Sequence, residues 1–154
     1  MPLENVLPAN ADTLLTISGM GHMLYQARGL TQTIQVIPAA TSQGRTINGT
    51  LIDISVSQFR KYMSKISCSD VNAPALDNLW PGMTVTVDCA CSLCYVTGAS
   101  GSPARPEVSG SSYAEGSPSF TYYRPVLDMM IKDISFHFDE WKAVVGWEMD
   151  LEEI

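Results

Sequence analysis

The residues best suited to chemistry are four cysteines, Cys68, Cys89, Cys91 and Cys94, three of them inside the run DCACSLCY. A Cys-x-Cys-x-x-Cys spacing invites a zinc or cluster site. A tetrahedral metal, however, is usually held by Cys-x-x-Cys pairs borne on turns. A second such pair is missing, and His22 and His137 are the only histidines that could complete a set. From Met83 to Tyr95 the odd positions read Met, Val, Val, Cys, Cys, Leu, Tyr, against Thr, Thr, Asp, Ala and Ser at the even positions. That is the period-2 pattern of a half-buried strand. On such a strand Cys89 and Cys91 face the core and Cys94 faces away, so the three thiols diverge. The alternation favours buried free thiols that behave as small hydrophobes. A disulfide from Cys68 to the cluster stays open, given an oxidising compartment. No metal and no cofactor is expected.

Other chemistry is sparse. The chain has no phosphate-binding Gly-x-x-x-x-Gly-Lys loop, no His-Glu-x-x-His pair and no Gly-x-Ser-x-Gly elbow. A cysteine nucleophile needs a neighbouring histidine, and only two are on offer. His137 lies between Phe136 and Phe138 and is expected to face solvent opposite two core aromatics. Glu148, Asp150 and Glu152 line one face of a terminal strand, where a solvated acidic edge that discourages edge pairing is the favoured reading. Arg60, Lys61 and Lys65 form the single basic cluster, too small for a nucleic-acid footprint but suited to an acidic edge on a partner. No enzymatic activity is expected.

The elements that position these residues are almost all strands. Short strands are predicted at Thr13–Ser18 and Thr31–Ile37, with the glycines of MGHMLYQARG marking bends between them. In RTINGTLIDIS, Asn48-Gly49 predicts a hairpin with a type I′ turn. SVSQFRKY offers one short helical turn or the lead-in to a strand over 62–69, and DVNAPALDNLWPG reads as a connection. Gly98–Ser119 is dominated by Gly, Ser, Pro and Ala and reads as a long flexible loop, or as an arm that orders on a neighbour through Tyr113, Phe120, Tyr122 and Tyr123. The alternation of Tyr123–Phe138 shifts phase near Lys132-Asp133, which predicts a bulge. Trp141, Ala143, Val145, Trp147, Met149 and Leu151 then share one face of a returning strand. Trp141 and Trp147, six residues apart, suggest one ring in the core and one at an exposed end. The expectation is a single all-β domain over 1–154, an antiparallel sandwich or small barrel with a C-terminal hairpin.

The 154 residues suffice for one domain with its own core. Hydrophobic residues make up 45% and charged residues 16%, against about 25% charged in an average domain. So few charges suggest that some surface is covered by neighbours. The net charge of −7 disfavours nucleic acid as a partner. No apolar run approaches membrane-spanning length, and the opening MPLENVLPAN has neither the basic nor the apolar region of a secretory signal.

Three segments together carry a resemblance: RTINGTLIDISVSQFRKYMSKISC at 45–68, LWPGMTVTVDC at 79–89, and YRPVLDMMIKDISFHFDEWKAVVGWEMDLEE at 123–153. They resemble small structural proteins of tailed-phage virions, especially short tail or tail-tip proteins. The resemblance implies a non-catalytic β-sandwich or barrel that assembles as a ring or lattice component of the virion, built in the host cytoplasm. Its partners would be further copies of itself and other virion proteins, with neither nucleic acid nor membrane. Capsid decoration or a neck role is the alternative within that class. From another class, the rival is a small β-sandwich module binding a ligand or glycan through exposed aromatics such as Trp80 and Tyr113. Candidate interface residues are Tyr113, Phe120, Tyr122, Trp141, Trp147, Glu148 and Asp150, with Arg60, Lys61 and Lys65 as their basic complement.

Overall fold

In the computed structural model, which describes residues 14–20, 29–38, 42–70, 74–98, 101–116, 120–140 and 144–154, the chain is all-β and antiparallel. The element that organises the rest is β10, Val126–Phe138, in the order of strands β1 Thr16–Ile17, β2 Thr31–Val36, β3 Gln43–Arg45, β4 Leu51–Asp53, β5 Tyr62–Asp70, β6 Thr84–Asp88, β7 Leu93–Val96, β8 Tyr113–Glu115, β9 Phe120–Tyr123, β10 and β11 Val145–Glu153. A 3-10 turn covers Ser57–Phe59, where the sequence offers one short helical turn or the lead-in to a strand.

Six strands form one sheet in the order β1-β6-β10-β11-β5-β2, curled into half a barrel. Residues opposite one another across a ladder share a face, so one row runs Phe136, Trp147, Cys68 and the next-but-one row runs Ile134, Met149, Ile66. Phe136 apart, these fill the inner face together with Val85, Val87, Leu127, Met129, Ile131 and Leu151. Leu15, Met20, Leu76, Leu79 and Cys89 complete that core. The expected phase shift is present: the β10–β11 register slips between Ile131 and Asp133. One extra residue on β10 returns Ile134 to the inner face after Ile131, which is what a bulge does.

Two long strands predicted from alternation are each broken in two. The run 83–96 divides into β6, in the large sheet, and β7, in a three-stranded sheet of order β7-β9-β8. The run 123–138 divides at Arg124-Pro125 into β9 and β10. Both breaks lie side by side, and the paired ribbon turns a corner there from one sheet into the other. Hydrogen bonds replace the lost ladder: Cys89 N–H donates to the Pro125 carbonyl at 3.0 Å, and Ala90 N–H to Gln32 Oε1 at 2.8 Å. The buried Arg124 guanidinium fills the corner and donates to the carbonyls of Leu14 at 2.6 Å and Cys89 at 3.3 Å. A backbone polar group withdrawn from a sheet must find another partner, and these side chains supply it.

The Asn48-Gly49 hairpin forms, with a different turn. Gly49 N–H donates to the Thr46 carbonyl, and Thr46 N–H to the Thr50 carbonyl. Ile47 and Asn48 are therefore the central pair, and Gly49 follows them at φ 80°. This is the three-residue loop with a glycine bulge rather than the two-residue type I′ turn.

The stretch 98–119 also departs from a structureless loop. β8 lies within it, Glu107 bridges to Pro125, Val108 N–H donates to the Arg124 carbonyl and Val126 N–H to that of Pro106. Arg105 clamps onto Glu153 at 2.6 Å. Glycine and serine content signals a lack of apolar side chains to bury, but backbone ladders and one ion pair hold the segment without them.

Candidate assembly surfaces

The cysteines lie at the corner and on β5. None of the four is joined in a disulfide. Cys68 and Cys89 are buried, Cys91 is half-buried and Cys94 is exposed. Cys91 Sγ lies 3.4 Å from Gln32 Oε1. Its hydrogen bond with Cys91, reinforced by burial, pushes the Cys89 thiol up. Burial pushes Cys68 up as well. Among the described residues no group of three His, Cys, Asp or Glu converges as a metal site; His22 lies outside them. This arrangement predicts a staged thiol titration. Cys94 reacts with Ellman's reagent at once, Cys91 more slowly, and Cys68 and Cys89 only when the chain is unfolded. Rapid reaction of all four would overturn that placement.

The acidic strand face meets basic residues of its own chain. Lys65 lies 3.4 Å from Glu148 and Lys132 lies 3.0 Å from Glu152. Lys65 is also directly opposite Asp150 in the ladder. The repulsion that a neighbouring subunit was expected to relieve is thus relieved within the sheet, by exposed pairs worth about 0–1 kcal/mol each. Arg60 is 3.6 Å from Asp53. Of the aromatic candidates, Trp147 is 2% exposed and belongs to the core, so it cannot meet a neighbour. Trp141 lies outside the described residues. Tyr113 stacks on Tyr122 with ring centroids 5.2 Å apart, and Phe120 is partly exposed beside them.

The large exposed apolar surfaces lie elsewhere, in two separate places. One is the β3–β4 hairpin. Among the described residues its two strands pair only with each other, and Ile47, Leu51, Ile52, Ile54, Val56 and Phe59 all stand in solvent, Ile54 at 66% exposure. The arm is tethered at its root, where Ile37 N–H donates to the Lys61 carbonyl. Its alternation in the sequence is that of any half-buried strand; nothing local says that the second half of the domain never reaches it.

The other surface is aromatic. Phe136 and Phe138 were expected in the core opposite His137. They do lie on the inner side of β10, but they are exposed, Phe138 at 63%. Their rings stack at 6.3 Å. The core elements stop short of this end of the hairpin, so the inner side is uncovered there. Trp80, 69% exposed, stands across from Phe136 over a groove of about 300 Å³ whose walls include Leu76, Pro81, Ile134 and Asp77.

Comparison with known proteins adds no relative: no family model matches the chain, and neither a curated protein nor a solved structure matches it.

Proposed function

We propose that this chain is a non-enzymatic assembly subunit, a structural protein of a tailed-phage virion whose copies join as a ring or lattice. The observation that carries the assembly reading is the β3–β4 arm, which holds six large apolar side chains in water with no further partner strand among the described residues. Monomeric soluble proteins rarely keep contiguous apolar patches of that kind, and a protein interface is their usual explanation. The low charged fraction agrees with it. The placement in a phage tail or tail tip rests on the resemblance of segments 45–68, 79–89 and 123–153.

Light scattering on purified protein across a concentration series is expected to give a discrete multiple of 16.8 kDa, and electron microscopy to show rings or arrays. Antibody labelling of particles from the native source is expected on the tail. A monomer at every concentration would overturn the assembly reading. It would favour the glycan-binding alternative if Trp80 fluorescence responded to sugars, because an exposed indole over a groove also suits carbohydrate stacking.

A further inference from the structure

The arm and the aromatic groove are both exposed within one copy, so neither covers the other. The arm is inserted between Val36 and Tyr62, which pair with each other at one end of the sheet. The groove residues Ile134 and Phe136 of β10 are level with Met149 and Trp147 of β11 and with Ile66 and Cys68 of β5, four to six steps along the strand from Tyr62, roughly 14–20 Å at about 3.4 Å per residue. Both surfaces are apolar, and their charges are opposite. Residues 42–61 carry Arg45, Arg60 and Lys61 against Asp53. The lining of the groove carries Asp77 and, among the described residues, no basic side chain.

Resting on the reading of the chain as an assembly subunit, we infer that the β3–β4 arm of one copy docks in the Trp80–Phe136 groove of the next. The occupant of the groove is a second copy of this chain. The contact is heterologous and head to tail, so each subunit gives an arm and receives one. Repetition of such a contact yields a ring where the rotation closes and a filament where it does not. The apolar ridge supplies the attraction, and the basic arm against Asp77 sets orientation and makes the contact weaken as salt rises.

A complementation experiment tests this. The arm variant carries Ile47→Asp, Ile52→Asp and Ile54→Asp; the groove variant carries Trp80→Ser and Phe136→Ser. All five side chains are exposed, so both variants are expected to melt with the wild type. Each variant alone is expected to be a monomer by light scattering. An equimolar mixture is expected to give a heterodimer and nothing larger, because one intact arm then faces one intact groove. Assembly of the wild type together with normal assembly of either variant would overturn the docking while leaving the assembly reading intact, and would mean that the groove serves another occupant. Two monomeric variants whose mixture stays monomeric would overturn the head-to-tail contact. A monomeric wild type would overturn both.

Discussion

Trp147→Ala is expected to lower the unfolding free energy by about 3–5 kcal/mol, the cost of truncating a fully buried indole in a core that relaxes only in part. Trp147 sits on β11, inside the sheet, with Phe136 across one ladder and Cys68 across the other. At 2% exposure its ring has no solvent to retreat to. Domains are stable by only about 5–15 kcal/mol, so the variant stands near the edge of folding. Its melting midpoint should fall by roughly 6–20 °C, given about 2–4 °C per kcal/mol for a chain of this size. Urea denaturation with an unchanged slope is the measurement. The contrast is Trp80→Ser, expected to leave the midpoint where it is. A loss under about 1 kcal/mol for Trp147→Ala would mean that the ring is not core, and would return it to the list of surfaces available to a neighbour.

Glu153→Ala is the second large effect, expected to cost about 2–4 kcal/mol and to release the segment around Arg105. The Glu153 carboxylate accepts three hydrogen bonds: from Arg105 Nε at 2.6 Å, from Arg105 Nη2 at 3.1 Å and from Tyr62 N–H at 2.9 Å. Its side chain is 8% exposed and that of Arg105 23%, so the pair is screened far less than those on the acidic face. The carboxylate raises the Arg105 pKa, mainly through its hydrogen bond. The guanidinium also lies 5.3 Å from the Tyr62 ring centroid and donates to the Arg60 carbonyl. Removing the acid leaves a half-desolvated cation and a backbone donor without their acceptor, which costs more than the pair is worth. Glu153→Gln keeps an acceptor and should lose about half as much. In the wild type a broad-specificity protease should cut 101–112 slowly, because Arg105, Glu107 and Val108 are held; in Glu153→Ala it should cut there first. Equal cutting rates in both proteins would mean that the clamp does not restrain the segment.

Several features were legible from the residues alone, because they depend on local sterics. Alternation over 62–70 and 145–153 marks strands and names the inner side of each: Ile66 and Cys68, then Trp147, Met149 and Leu151, all buried. The change of phase at Lys132-Asp133 marks a bulge, because one extra residue must invert the pleat. Gly49 and Gly82 sit at positive φ where turns were read. The all-β class follows from these.

The tertiary structure decided whatever depends on what lies opposite a strand. Period 2 continues through Cys89 and Cys91 although the sheet does not, because a chain can pass from one sheet to another without losing its alternation. Phe136 and Phe138 share a side with Ile134 and Trp147, yet only the latter two lie beneath a covering element, and no local pattern records where a cover ends. Glu148 and Glu152 read as a repelling row until the ladders bring Lys65 and Lys132 alongside them. The same holds for Ile52 and Ile54, whose spacing matches a core strand but whose hairpin, among the described residues, pairs with itself alone. Side-chain direction is set within a few residues by the backbone; burial is set by contacts between segments far apart in the chain, and these exist only once the chain has folded.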